Sequence, residues 1–315
     1  MSLIEYDLFG NKHDKVQDAL DLLQHFEPPE GYYLAFSGGK DSQTVFHLCK
    51  MAGVKFDAHM RLTGVDAPEV IRFAKTYYPE VKREHPHDKD GKPITMWNLI
   101  PRKLMPPTRI VRYCCAELKE TGGDGRLVVT GVRKQESVAR SKRTEIVIIK
   151  DRRAAKVAEA ENAEYREQRQ NGIVMNFDNA ATKRTVEQCY RTHKTTINPI
   201  ADWSEDDVWE FLNDVVKVPH CSLYDEGFKR VGCIGCPMAD TKREFERWPV
   251  FKNNYIKAFE RMIEERKRKG LGVDKKFNTG EEVMKWWIGE KVTADEDQMT
   301  MEELLEQLEP TEVVE

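Results

Sequence analysis

Apolar positions along the first 130 residues alternate between helical and strand patterns. Lys15 to His25 carries Val16, Ala19, Leu20, Leu22 and Leu23 on one broad face, which predicts a helix. Glu27-Pro28-Pro29-Glu30-Gly31 stops it. The run Tyr32-Tyr33-Leu34-Ala35-Phe36 then reads as a strand, and Val45, Leu48 and Cys49 return to helical spacing. A strand over Lys55 to Leu62, a helix from about Val70 to Tyr78, a short strand near Val81 to Glu84 and another at Leu127 to Thr130 continue the alternation. This order predicts an α/β fold built on a doubly wound, mostly parallel sheet, with ligands beyond the carboxyl ends of its strands.

The pattern changes further on. Asp151 to Arg169 mixes charges with alanines and has almost no large apolar residue, so an exposed helix or insertion is expected there, with a lid over the ligand as the rival reading. Ser204 is placed to cap a helix over Glu205 to Val215, with Val208, Trp209 and Leu212 turned inward. Trp203 and Trp209 read as core residues rather than base-stacking ones. Phe245, Trp248, Phe251, Tyr255, Phe259 and Met262 recur at helical spacing, and basic residues close that helix before Gly270. The expected organisation is a body over 1–240 with a charged insertion at 151–180, a helical C-terminal region over 241–290 and an acidic tail over 291–315.

Fifty Lys and Arg against 54 Asp and Glu give a net charge of −4, which argues against a chain that coats nucleic acid along its whole surface. No apolar run approaches the ~20 residues of a membrane span. Met1 to Asp7 lacks the basic-then-apolar pattern of a signal peptide, and the seven cysteines then read as reduced thiols, so a cytoplasmic protein is expected.

The chemistry concentrates in two places. Ser37-Gly38-Gly39-Lys40-Asp41-Ser42 joins a strand to a helix. Glycines let the backbone approach a ligand, and the first N–H groups of the helix favour an anion. Lys40 adds a full charge, and the Ser37 and Ser42 hydroxyls can donate to phosphate oxygens. The spacing is not that of a Walker A loop. The second place is Cys114-Cys115 with Cys233-Ile234-Gly235-Cys236. Two close pairs of thiolates suit a [4Fe–4S] cluster or a four-cysteine zinc site. The adjacent pair favours the cluster, because iron corners are farther apart than the ligand positions of a single ion. Free thiols are the remaining alternative. Arg112, Lys119 and Lys229 lie near these cysteines in sequence and would offset their negative charge.

The Ser37–Ser42 loop resembles the S-G-G-x-D-S loop of the ATP pyrophosphatase (PP-loop) superfamily. With Gly131-Val132-Arg133 through Arg140, Asn198 through Trp209, and Val218 through Phe228, the chain resembles the phosphoadenosine phosphosulfate (PAPS) reductase family over about residues 30 to 240. The four cysteines are similar to those of its cluster-binding branch, which includes sulfonucleotide reductases and sulfur-transfer enzymes of DNA phosphorothioation. The resemblance implies an adenine nucleotide alpha hydrolase-like fold and a [4Fe–4S] cluster on Cys114, Cys115, Cys233 and Cys236. It implies ATP, PAPS or adenosine phosphosulfate in a site formed by Ser37 to Ser42, Thr63, Gly64 and Gly131. Lys40, Asp41, Arg133 and Arg140 are the expected catalytic residues. Asp41 would orient the loop or hold Mg²⁺, and the two arginines would clamp phosphate oxygens. Asp66 and Glu69 read equally as helix caps.

Two departures bear on the activity. Reductases of this family use a mobile C-terminal cysteine, whereas Cys236 is the last cysteine here, with Cys189 and Cys221 as conceivable substitutes. The loop also matches the ATP-cleaving branch better than the altered loop of reductases. The expected activity is therefore cleavage of ATP to an adenylate and pyrophosphate, activating a substrate for sulfur transfer. Sulfite release from a sulfonucleotide and a non-catalytic nucleotide sensor are the alternatives. A sulfur donor, a partner protein or a nucleic-acid acceptor are the partners such chemistry would call for.

Overall fold

The computed structural model describes residues 3–6, 9–10, 12–136, 144–149, 151–168, 171–176, 178–272 and 277–289. Arg140, parts of the 151–180 insertion and the acidic tail lie outside the described residues. No helix among the described residues is long and apolar enough to cross a membrane.

A small hairpin of β1 (Ile4–Tyr6) and β2 (Lys12–Asp14) leads into α1 (Lys15–His25), whose cap is the Asp14 carboxylate on the Val16 and Gln17 N–H groups. Next come β3 (Tyr32–Ala35), α2 (Lys40–Ala52), β4 (Phe56–Arg61), α3 (Pro68–Tyr77) and β5 (Lys82–Glu84). Then α4 (Met96–Lys103), α5 (Tyr113–Leu118) and β6 (Leu127–Val129) close the first half. The second half holds β7 (Ile146–Ile149), α6 (Ala154–Ala160), β8 (Arg166–Gln168), β9 (Gly172–Met175), α7 (Ala180–Cys189) and β10 (Lys194–Ile197). It ends with α8 (Glu205–Glu210), α9 (Thr241–Arg247), α10 (Pro249–Arg268) and α11 (Gly280–Trp287).

The main sheet has eight strands in the order β5-β4-β3-β6-β10-β7-β9-β8. From β5 to β10 every pairing is parallel; from β10 through β7 and β9 to β8 every pairing is antiparallel. The mostly parallel α/β reading holds, with an antiparallel edge that the sequence did not announce. The chain runs outward from β3 to β4 and β5, then returns to β6 on the other side of β3. That reversal opens a crevice at the carboxyl ends of β3 and β6, where α/β sheets bind ligands.

Strand composition follows burial. β6, β7 and β9 are apolar nearly throughout and buried. β4 alternates instead: Ala58 and Met60 are buried, while Asp57, His59 and Arg61 share the opposite face with Glu84 of β5. α2 contributes Val45, Phe46, Leu48, Cys49 and Ala52 to the core. The helix expected over Glu205 to Val215 ends as α at Glu210 and continues as one π turn, Phe211–Val215, which buries Phe211 and Leu212. In the charged stretch after Asp151, α6 packs on α7 and β9 with Ala154 and Ala158 buried, so this part is built into the fold rather than standing clear of it.

Candidate functional site

β3 is buried, and the chain leaves it at Phe36, whose N–H still bonds to the His59 carbonyl (2.9 Å). The next six residues form a loop stapled by its own serines. The Ser42 hydroxyl donates to the Gly39 carbonyl (2.8 Å) and accepts the Ser37 N–H (3.1 Å), with the Ser37 hydroxyl 3.2 Å away. Gly38 has a φ of 76°, and a Cβ on it would lie 2.7 Å from the Val70 side chain. Gly39 is the extended residue before α2, whose first N–H groups have no partners within the helix. Gly131, just beyond β6, meets this turn from the other side: a Cβ there would sit 2.8 Å from the Asp41 carbonyl.

Three expected catalytic residues are described, and each is engaged by protein groups. Lys40 is only 2% exposed. Its ammonium donates to the Lys229 carbonyl (3.0 Å), pairs with Glu205 (3.3 Å) and lies over the rings of Tyr224 and Trp209 (5.4 and 5.9 Å). Its backbone N–H donates to the Tyr224 hydroxyl (2.9 Å). Arg133, buried, donates from Nε to Asp41 (2.5 Å) and from a terminal nitrogen to the Trp203 carbonyl (3.4 Å). The expected phosphate clamp thus ties β6 to the first turn of α2. Trp203 is a core residue as expected, whereas the half-buried Trp209 also forms one wall around the Lys40 ammonium.

The end of β4 touches the second cysteine pair. Asp66 accepts the Thr63 N–H (2.7 Å) rather than capping α3, and Asp66 and Cys233 form an isolated antiparallel bridge. The Ile234 N–H donates to the Val65 carbonyl (2.7 Å), and the Cys233 thiol lies 3.4 Å from the Thr63 hydroxyl. Gly64 packs against Thr95 and the Trp97 indole.

Cys114, Cys115, Cys233 and Cys236 are all free and half-buried. They feel one another: the Cys114 thiol is pushed up by its hydrogen bond to Cys115, by burial and by the charges of Cys115, Cys233 and Cys236. Cys115, taking that hydrogen bond, is held low against its burial, with Lys119 and Arg112 adding positive charge. Burial pushes Cys233 up, and the Lys119 ammonium beside it pulls back. Among the described residues, no three His, Cys, Asp or Glu side chains are placed to hold one metal ion.

Sequence reading missed several residues. Tyr224 and Glu205 carry no signal of their own within the blocks that contain them, yet both hold Lys40. Glu244 accepts the Gly235 N–H inside the Cys233–Cys236 turn (2.7 Å). Burial raises its carboxyl to about 7 even though the Gly235 and Cys236 N–H groups favour the anion. Arg109, donating to the Pro237 carbonyl (2.8 Å), ties the loop before α5 to the same turn. A carboxylate eight residues past a C-x-x-C pair is the only signal that pointed to Glu244.

Comparisons with known proteins bear on the same region. Two uncharacterized proteins of Methanocaldococcus jannaschii are similar to the chain. One is 28% identical over 249 residues (76% of this chain, 48% of that one), the other 35% identical over 243 residues (70% and 40%). The chain spans about half or less of the length of these curated relatives. Adenosine 5'-phosphosulfate reductase of Allochromatium vinosum is 44% identical over 48 residues, 15% of this chain and 18% of that enzyme. The model of the phosphoadenosine phosphosulfate reductase domain matches residues 31–239, from the strand before the Ser37–Ser42 loop to just past Cys236. The chain belongs to the phosphoadenosine phosphosulfate reductase domain family.

Proposed function

We propose that this chain is a PP-loop enzyme that binds an adenine nucleotide and cleaves ATP between the α and β phosphates, activating a substrate for sulfur transfer beside a [4Fe–4S] cluster. The observation that carries the reading is that one stretch of chain touches the loop and carries the second cysteine pair. Tyr224 and Lys229 reach the Ser37–Ser42 loop, and Cys233, a few residues on, touches Thr63 at the end of the neighbouring strand. Residues 1–240 would house this site and 241–290 would brace it.

A substrate oxygen would attack the α-phosphorus, forming one P–O bond as the bond to the β-phosphate breaks and its electron pair leaves with pyrophosphate. The loop N–H groups, Lys40 and the two serine hydroxyls would take up the charge on that leaving group. Each charge-assisted bond is worth only about 1.5–3 kcal/mol, so several must act together. Lys40 would exchange Glu205 and the Lys229 carbonyl for phosphate oxygens. Arg133 acts as a positioning residue through Asp41, the carboxylate this loop offers to a Mg²⁺ carried by the nucleotide. Arg140 would clamp phosphate, and Thr63, Gly64 and Gly131 would border the adenosine.

Cys114, Cys115, Cys233 and Cys236 would hold the cluster, which supplies electron and sulfide chemistry when bound. The donor set suits that group. The Cys114 thiol feels Cys115, Cys233 and Cys236, and the Lys119 ammonium lies beside Cys115 and Cys233, where it would offset the charge of thiolate ligands.

Sulfite release from a sulfonucleotide is the second reading, favoured by the local likeness to adenosine 5'-phosphosulfate reductase. That chemistry needs a thiolate outside the cluster. Cys49, Cys189 and Cys221 are buried, and burial pushes each thiol up, Cys189 to about 12. None of these three is a ready nucleophile.

Anaerobic purification, iron and sulfide assays, and incubation with ATP and with adenosine phosphosulfate test both readings. Pyrophosphate release from ATP is expected, reduced at least about 100-fold by Lys40→Ala. Zinc-loaded, colourless protein, or nucleotide binding without turnover, would overturn the first reading. Thiol-dependent sulfite release would establish the second.

A further inference from the structure

One segment, from Val218 to Pro237, is fastened to both motifs. Near its start the Tyr224 hydroxyl takes the Lys40 N–H (2.9 Å), and the Lys229 carbonyl takes the Lys40 ammonium (3.0 Å). Val231 and the Tyr224 hydroxyl both lie close over Gly39, 3.5 and 3.4 Å from where a Cβ would stand. Near its end the Ile234 N–H holds the Val65 carbonyl (2.7 Å), Cys233 bridges Asp66, and Glu244 and Tyr255 grip the turn between the two cysteines. The Tyr224 ring stands edge-on to Trp209 with centroids 5.0 Å apart. Burial keeps its phenol protonated, so it is a neutral group on a donor that favours an anion.

A phosphate seated on the first turn of α2 would use that N–H and that ammonium. The single backbone N–H can serve the Tyr224 hydroxyl or the phosphate, not both at full strength, whereas the ammonium has three N–H groups, with the Lys229 carbonyl and Glu205 as oxygen partners. We propose that a pyrophosphate group enters the loop by displacing the Tyr224 hydroxyl from the Lys40 N–H, and that the displacement travels along residues 224–236 to Cys233 and Cys236. The inference rests on the reading of Ser37–Ser42 as a phosphate site. It adds a coupling: filling the loop changes the setting of one cysteine pair. A ligand that lacks a pyrophosphate group would leave the segment fastened.

The test uses the full chain, purified anaerobically, with inorganic pyrophosphate and ATP as probes. Binding is read by calorimetry and by fluorescence of Trp209 beside Tyr224; hydrogen exchange is read over 37–44, 221–230 and 231–238. Pyrophosphate is expected to slow exchange at the loop and to change it several-fold over 231–238. In Tyr224→Phe, which removes one oxygen, pyrophosphate affinity is expected to rise about two- to tenfold, the worth of one competing hydrogen bond. The ligand-induced change over 231–238 should shrink in that variant. Exchange in the β6 and β7 peptides, equal to that of the parent, shows the variant is folded.

Three results would overturn the coupling. Protection confined to 37–44, with 231–238 unchanged, removes it while the phosphate site stands. Unchanged or weaker pyrophosphate binding by Tyr224→Phe makes the hydroxyl a bystander or a ligand contact rather than a competitor. Failure of both probes to bind removes the phosphate reading and the coupling together. The exchange comparison on the parent protein decides the matter even without the variant.

Discussion

The Ser37–Ser42 loop and the cysteine quartet are neighbours with opposite states of satisfaction. In the loop every charged group has a protein counterpart: Asp41 has Arg133, and Lys40 has Glu205, the Lys229 carbonyl and two aromatic rings. Among the cysteines, sulfur faces sulfur. Cys114 spends its hydrogen bond on Cys115, and Cys233 shares Lys119 and Thr63. The loop is therefore stable as it stands and must open to take a ligand. The cysteines gain by accepting positive charge. A binding site can be prepared either way, by competing internal partners or by thiols left to one another until a cation arrives.

The sharpest way to break this contrast is to remove an internal partner from the loop. Arg133→Ala would strand the Asp41 carboxylate, whose pairing side chain is 5% exposed. Breaking a buried pair costs about 3–5 kcal/mol, and the low end is expected because Asp41 keeps some contact with water. The urea midpoint should fall with an unchanged slope. A loss below about 1 kcal/mol would mean that the loop does not depend on this pair.

The cysteine side should respond in the opposite manner. Cys114→Ser removes a thiol whose hydrogen bond goes to Cys115. In metal-free protein it should shift stability by less than about 1 kcal/mol, as a near-isosteric change at a half-buried site. In metal-loaded protein it should cost the binding free energy that folding gains from the group. Melting both forms, with iron counted, checks this. If the metal-free variant loses as much as Arg133→Ala, the quartet is an ordinary packed core.

What the sequence disclosed follows the same line between local and distant causes. β3 and β6 were legible because each is an apolar run ended by glycine or polar residues, and β4 because Phe56, Ala58 and Met60 alternate with polar residues. The antiparallel edge was not. β10 reads Lys-Thr-Thr-Ile, and it is a central strand only because β6 and β7 flank it and the Thr196 hydroxyl finds the Val147 carbonyl. Both chemical motifs were visible as short spacings. Their groups' partners were not, since Arg133 lies 92 residues from Asp41 and Tyr224 lies 184 from Lys40. Trp209 shows the limit: helical spacing called it inward, which it is, but the inward neighbour is an ammonium.

A pH series supplies the background for both halves, and its effect is the smallest. On the polar face of β4 the His59 side chain lies between Asp57 and Glu84. Burial would raise the Asp57 carboxyl, but bonds from His59 and Arg126 outweigh it and hold it low; the bond from His59 chiefly lowers Glu84. Both folded values lie below the unfolded ones, so the unfolded chain binds protons first as pH falls. The contribution to stability is complete above the ordinary carboxylate range and is lost on acidification below about pH 4.5. Glu84 is 44% exposed, so solvent screening confines the effect to about 1 kcal/mol or less. His59→Gln should make the acid limb of a stability-against-pH curve shallower by that amount and leave the curve near neutral pH in place. An identical acid limb would mean that the acid response comes from elsewhere. The half-buried Glu244 under the cysteine turn is not that source: its carboxyl is raised to about 7, so the folded chain takes up this proton first and acidification through that range adds stability.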